Sequence, residues 1–283
     1  MGSPLSRNET IQKAMEENRM SKRLWFYSNY HCNLACTYCL TESSPSVPKR
    51  VFQAEEMITI AKEAAELGFE SIGITGGEPF LLPNLVDTLH ALLDILPVTL
   101  LTNGTLFHDK RIEELRSLAG KDLRMQISLD YATPQENDAM RAPGNFEKVI
   151  EAIPKLLAIP LHIRVASTID AHTPQEESEL NQLIETLGIP KEDHIVRKII
   201  HRGRAQSEGI GINASIEELM PELTLTVDGA FWSPFAPTYK DGRLQKDLLI
   251  SNTVSPLHVP VDILLSFIEQ IPYQANEHTA GFV

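Results

Sequence analysis

Cysteine is scarce in this chain: three in 283 residues, all between positions 32 and 39. An odd number of clustered thiols excludes a disulfide framework. No apolar run reaches the roughly 20 residues that a bilayer-spanning helix needs, so no membrane partner is expected. Residues 1–23 are rich in Glu, Asn, Lys and Arg and contain no apolar core of a secretory signal. The expected location is therefore the cytoplasm, where thiols stay reduced. Positive charge is also in deficit, with 25 Lys and Arg against 38 Asp and Glu and a net charge of −13. That balance argues against a nucleic-acid substrate, because phosphate-backbone binders carry a basic face. Two basic pairs, Lys49-Arg50 and Arg197-Lys198, read as solvated surface.

What remains is an ordinary globular composition, 42% hydrophobic and 22% charged, long enough for one large domain or one domain with a small appendage. Strand-like and helix-like patterns alternate. Strands are expected at 24–30, 71–75, 98–101, 124–129, 162–169 and 195–200. Helices are expected at 54–67, 84–96, 109–118, 146–158 and 176–187, several closed by glycine. Six such repeats predict a parallel α/β sheet with helices outside, a partial (β/α)6 TIM-like barrel. The last 80 or so residues break the pattern. A strand at 224–227, turns at Asp228-Gly229 and Asp241-Gly242, and a helix at 259–269 predict a small C-terminal α+β extension. The domain reading is an N-terminal helical segment 1–23, a core 24–205 and an extension 206–283.

The three cysteines form Cys32-x₃-Cys36-x₂-Cys39, with Tyr38 just before the last. Three thiolates on one loop suit three irons of a [4Fe–4S] cube with the fourth iron open. Zinc and an inert thiol cluster are the alternatives; zinc would need a fourth ligand, and His31 is too close in sequence to complete a tetrahedron easily. Barrel enzymes carry their reactive groups at the C-terminal ends of strands, and unusual residues fall there in this chain. After the first strand come the cysteines, and after the second Gly76-Gly77-Glu78-Pro79. Thr102-Asn103-Gly104 follows the third strand and Ser128-Leu129-Asp130 closes the fourth. Ser167-Thr168 stands at the fifth, and His201-Arg202-Gly203-Arg204 follows the sixth.

Together these motifs resemble the radical S-adenosylmethionine (SAM) superfamily, in the branch that holds molybdenum cofactor protein A and the SPASM-type peptide-modifying enzymes. The resemblance covers residues 24–205. It implies that Cys32, Cys36 and Cys39 ligate one [4Fe–4S] cluster, with SAM chelating the open iron. It implies that Gly76 and Gly77 let backbone approach the methionine, that Glu78 accepts from the methionine amino group, and that Pro79 fixes the turn. Tyr38 falls where relatives contact adenine, with loop packing as its other reading. Ser128 and Asp130 fall where they contact ribose or methionine, and a plain strand-end turn also accounts for Asp130. Arg141 is placed to reach the SAM carboxylate or to sit on a helix surface. Thr102, Asn103 and Arg164 are candidate substrate contacts if the strand register is right. The implied chemistry is reductive cleavage of SAM to a 5′-deoxyadenosyl radical, with an electron donor such as flavodoxin or ferredoxin.

Relatives with further cysteines build auxiliary clusters in the C-terminal extension. Here Phe231-Trp232-Ser233-Pro234-Phe235 stands where such cysteines are expected, a degenerate SPASM- or twitch-like segment without a cluster. With all three cysteines used, redox-neutral elimination, decarboxylation or rearrangement is favoured. The expected substrate is a small molecule derived from a sugar, nucleoside or amino acid. A ribosomal peptide is the alternative, and a non-catalytic iron–sulfur protein is the reading from another class.

Overall fold

The computed structural model describes residues 6–271. The first residues of the 1–23 segment and positions 272–283 of the 206–283 extension lie outside the described residues.

Six parallel strands form the frame. In chain order they are β1 (Arg23–Tyr27), β2 (Ser71–Thr75), β3 (Val98–Thr102), β4 (Leu123–Ser128), β5 (His162–Ile169) and β6 (His194–Lys198). They lie side by side in that order. The crossovers carry α2 (Ala54–Leu67), α3 (Leu85–Leu93), α4 (Asp109–Arg116), α6 (Asn145–Leu157) and α7 (Pro174–Thr186), while α1 (Arg7–Glu16) precedes β1. Local signals place these ends. Gly68 closes α2 in the left-handed conformation at φ 95°. Thr173 and Glu176 form a capping box that starts α7, with Pro174 in its first turn. One further helix, α5 (Pro134–Met140), sits between β4 and α6, capped by Thr133.

Strand alternation separates two faces. Outward residues such as Phe26, Ile74, Leu100, Met125 and Val165 join one core with Ile60, Leu89, Leu115, Ile153 and Leu180 of the helices. The inward face is polar: Thr75, Gln126, Ser128, Thr168 and Arg197, from four strands, line a single cleft together with Tyr27 and Leu101. Residues from all six strands meet there, so the sheet is curled into a partial barrel. Deeper inside, Trp25 fills the barrel; a Cβ on Gly73 would lie 2.2 Å from its ring, and only glycine leaves that room.

The C-terminal residues do not stand apart from this sheet. After β6 comes the short α8 (Arg204–Glu208), then β7 (Thr224–Thr226) and β8 (Gly229–Phe231). β7 pairs in parallel with β1, Trp25 level with Thr224, and β8 returns antiparallel to β7. A two-stranded ladder follows, β9 (Tyr239–Lys240) and β10 (Arg243–Leu244), and then β11 (Leu249–Ser251) pairs with β8. α9 (His258–Ile268) completes the described chain. The extension thus covers the β1 edge, whose backbone groups would otherwise be open to pairing. It is also tied to the opposite edge, since the Arg202 guanidinium beyond β6 donates to Asp247 at 2.7 and 2.9 Å and to Thr238 at 3.0 Å.

Candidate functional site

The cysteine loop leaves β1 at Ser28 and is built into its surroundings by backbone bonds. Asn29 joins it to the Gly-Gly turn: Gly77 N donates to the Asn29 carbonyl at 2.9 Å and to its Oδ1 at 3.1 Å, while Asn29 Nδ2 donates to the Glu78 carbonyl at 3.0 Å. Glu78 N donates to the His31 carbonyl at 3.0 Å. This contact explains the glycines more directly than approach to a ligand does. A Cβ on Gly77 would lie 2.1 Å from the His31 oxygen, and one on Gly76, at φ +140°, 2.4 Å from the Asn29 oxygen. Gly77→Ala is expected to cost about 3 kcal/mol or more, because backbone must shift on both sides. Denaturant unfolding checks this; a loss under about 0.5 kcal/mol would show that the two loops yield freely.

From the other side Arg204 clamps the loop. Its guanidinium donates to the Cys36 carbonyl and, at 3.0 Å, to the Ser43 carbonyl, and its backbone N donates to the Cys39 carbonyl at 3.0 Å. Gly203, at φ +60°, permits the approach, since a Cβ there would fall 2.2 Å from the Leu40 oxygen. Thr37 N meets the Met140 carbonyl at the end of α5. His31 Nδ1 lies 3.1 Å from the Val47 carbonyl. Among the described residues no three His, Cys, Asp or Glu side chains converge on the position of a single metal ion. A cube that takes one thiolate per iron needs no such convergence, whereas mononuclear zinc does.

Cys32, Cys36 and Cys39 all line the cleft. Burial pushes the Cys32 thiol up to about 12, with the charge of Glu78 adding to it, and the Cys36 thiol up to about 11. Iron binding displaces such protons. Asn103 Nδ2 reaches Cys32 Sγ at 3.6 Å and Asn33 Oδ1 at 2.9 Å, joining the third strand end to the cysteine loop.

Glu78 is fully buried and stands behind the cleft wall. Its Oε1 accepts from Phe80 N at 3.0 Å and Thr102 Oγ1 at 2.8 Å, and its Oε2 from Asn103 N at 2.8 Å. Burial raises its pKa, and these three bonds offset part of that rise. Pro79 opens a short 3₁₀ turn directly after it. Asp130 is equally buried. Its Oδ2 accepts from Tyr38 Oη at 2.6 Å and from Arg141 at 3.0 Å, and its Oδ1 from Thr168 N at 2.9 Å. Arg141 is no surface residue: it ends α5, is 6% exposed, and its guanidinium also donates to the Tyr38 hydroxyl.

The cleft brings together the cysteines, Tyr38, Gly76, Gly77, Thr102, Asn103, Ser128 and Arg141. Glu78, Pro79, Asp130 and Arg164 are not in its lining. Arg164 faces the barrel interior but lies under the floor, where its Nε and a terminal nitrogen donate to Gln126 Oε1 at 3.0 and 2.7 Å. Sequence reasoning missed Gln126, Arg197, Lys198 and Phe235 in the lining. Arg197-Lys198 is the clearest correction: the pair read as solvated surface ends β6 and opens on the cleft. The strand expected at 195–200 put the pair in mid-strand, whereas β6 ends at Lys198. Trp232 is buried against the Leu219 carbonyl, but Phe235, three residues on, reaches the cleft, and Tyr27 Oη meets the Pro234 carbonyl at 3.1 Å.

Two observations test the site against a cluster and SAM. The cleft encloses about 1000 Å³, its open mouth included, with all three thiols on its wall. Arg141 Nε is buried beside them without a hydrogen-bond partner, a donor suited to a carboxylate. The residues present therefore fit the group.

The chain belongs to the radical SAM superfamily, whose family model matches residues 27–187. It is 36% identical over 136 residues to a GTP 3′,8-cyclase of Syntrophomonas wolfei, covering 46% of this chain and 41% of that protein. It is 31% identical over 159 residues to an AdoMet-dependent heme synthase of Methanosarcina barkeri, covering 56% and 45%. The match thus spans less than half the length of these relatives. Among solved structures, native anSMEcpe with bound AdoMet superposes with a TM-score of 0.64 over 89% of this chain and 84% of that one, at 13% identity. Streptococcus suis SuiB bound to precursor peptide SuiA superposes with a TM-score of 0.60 over 74% and 46%, at 18% identity. These likenesses show the fold, which the anSMEcpe superposition extends over most of the chain.

Proposed function

We propose that this chain holds one [4Fe–4S] cluster on Cys32, Cys36 and Cys39, cleaves SAM reductively, and takes a hydrogen atom from a small-molecule metabolite. The observation that carries this reading is the meeting of all three thiols and the Gly-Gly turn on one cleft. When bound, the reduced cluster supplies the electron that breaks the sulfonium carbon–sulfur bond.

The chain's own residues orient and enclose. Arg141 offers Nε to the SAM carboxylate while Asp130 and Tyr38 hold its guanidinium in place. Glu78, buried behind the cleft wall, accepts from Thr102 Oγ1 and Asn103 N and so in this reading braces the methionine end of the site from behind. Ser128 presents its hydroxyl from the end of β4, and Tyr38 presents its ring from the cysteine loop. Thr102 and Asn103 are committed to Glu78 and the cysteine loop, so in this reading they position the cofactor side of the cleft. Phe235 and Leu40 keep water from the reacting carbon.

With the three cysteines engaged, no thiol remains to return hydrogen or to hold a second cluster, which supports a redox-neutral outcome. The relatives' names, a GTP cyclase and a heme synthase, support a small molecule. Anaerobic reconstitution, dithionite reduction and assay of SAM products test the reading. About four irons per chain and formation of 5′-deoxyadenosine, stimulated by one pool of candidate metabolites, are expected. Stimulation by peptides alone would replace the substrate class. A loaded cluster that never yields 5′-deoxyadenosine would leave only an electron-transfer or sensing role.

A further inference from the structure

The three cysteine sulfurs stand in unequal surroundings. Cys32 Sγ accepts from Leu34 N at 3.4 Å and from Asn103 Nδ2 at 3.6 Å. Cys39 Sγ accepts from Ser43 N at 3.3 Å and lies 3.7 Å from Thr41 Oγ1. Each of these two sulfurs thus meets one backbone N–H and one polar side chain. Among the described residues no hydrogen bond reaches Cys36 Sγ; the positive charges that bear on it are those of Arg141 and Arg204.

Both side chains are aimed by their other bonds. Asn103 Oδ1 accepts from Thr105 N at 3.0 Å and from Thr105 Oγ1 at 2.6 Å. That fixes the amide with Nδ2 toward the sulfur, and Nδ2 also donates to Asn33 Oδ1 at 2.9 Å. Thr41 Oγ1 and Ser43 Oγ are 2.8 Å apart. An iron-bound thiolate has no proton to give, so Thr41 must donate to Cys39 Sγ. The single hydroxyl proton of Thr41 is then spent, and Ser43 must donate to Thr41. Two hydroxyls therefore point in series at one sulfur. Thr41, Ser43 and Asn103 are 3%, 2% and 6% exposed, so little water competes and their dipoles act at low dielectric.

We infer that Asn103 at Cys32, and Thr41 backed by Ser43 at Cys39, raise the reduction potential of the cluster and so ease delivery of the electron that SAM cleavage needs. The inference rests on the cluster of the proposed function. Reduction adds negative charge that the cysteine sulfurs share, and donors aimed at those sulfurs offset it, favouring the reduced state. Asn103, Thr41 and Ser43 are thus positioning residues that act through the cysteines. If they only held the loop in shape, removing one hydroxyl would leave the potential of a loaded cluster where it was.

The full chain, reconstituted with iron and sulfide and kept free of SAM, is titrated by deazaflavin photoreduction in the presence of redox mediators. Electron paramagnetic resonance reads the reduced cluster. Thr41→Val should make reduction about tenfold less favourable, a shift of about 59 mV to lower potential for one electron, with iron content unchanged. Thr41→Ser should recover most of the loss. Ser43→Ala removes only the outer hydroxyl and should shift the potential the same way by less. Asn103→Asp keeps the shape and the acceptor for Thr105 but turns a carboxylate oxygen toward Cys32 Sγ, so it should lower the potential at least as far as Thr41→Val. It reads the other sulfur, which keeps the test open should Thr41→Val misfold. Loaded variants whose reduction equilibria all stay within about twofold of wild type overturn the inference and leave the cluster reading intact. A wild-type chain that takes up no iron sinks the cluster reading, and this inference with it.

Discussion

Cys36→Ala, reconstituted anaerobically, is expected to retain less than about a tenth of the wild-type iron and to form no 5′-deoxyadenosine. The chain has no spare thiol: the three cysteines at 32, 36 and 39 are its whole supply. Two thiolates cannot hold a cube whose other protein-bound corner is empty. The fold should survive, because the loop is held through backbone groups that the substitution leaves in place. Arg204 still donates to the carbonyl of residue 36, and Thr37 N still meets Met140. Far-UV circular dichroism and the thermal midpoint of the apo chain should therefore match wild type while iron, sulfide and the visible absorption disappear. A variant that kept its iron and its product would show that the cluster hangs elsewhere.

Asp130→Ala is expected to remove about 3–5 kcal/mol of stability, the cost of leaving a buried charge without its partner. Asp130 is fully buried and accepts three hydrogen bonds, from the cysteine loop through Tyr38, from α5 through Arg141, and from β5 through Thr168 N. Alanine leaves the Arg141 guanidinium in place with no counter-charge against it. Asp130→Asn keeps the shape and some of the bonds, so it should recover part of the loss. Urea unfolding with an unchanged slope measures both. A cost below about 1 kcal/mol for the alanine variant would show that Arg141 finds solvent instead. SAM affinity should fall in parallel, since Arg141 loses the group that aims it.

How much of this was legible in the sequence depends on how local the signal was. The cysteines and Gly76-Gly77-Glu78-Pro79 are contiguous motifs, and the glycine-stopped helices betray the barrel repeat. Local signals were also passed over: Thr133-Pro134 with Glu136 is a helix start, and it marks α5, whose end delivers Arg141. Other features exist only in the folded chain. Asn29 matters because it meets a turn 48 residues away, and Arg204 because it reaches across 168 residues to Cys36. Neither carries a pattern of its own. Arg197-Lys198 looked like surface because charge alone does not say which end of a strand opens on a cavity. The register of β7 against β1 was invisible for the same reason, since a three-residue strand has no periodicity long enough to name its partner.

The clamp on the cysteine loop also sets an order of events during synthesis. A chain emerging from the ribosome presents Cys32, Cys36 and Cys39 early, but Arg204 and the Tyr239 amide, which bonds the Leu40 carbonyl at 3.0 Å, arrive far later. Contacts of such sequence separation form late, after the local barrel repeats have settled. The cysteine loop is thus translated well before the residues that clamp it. Until Arg204 and Tyr239 are in place, the Cys36, Cys39, Leu40 and Ser43 carbonyls that they bond lack those donors, so the final shape of the loop waits on residues far along the chain.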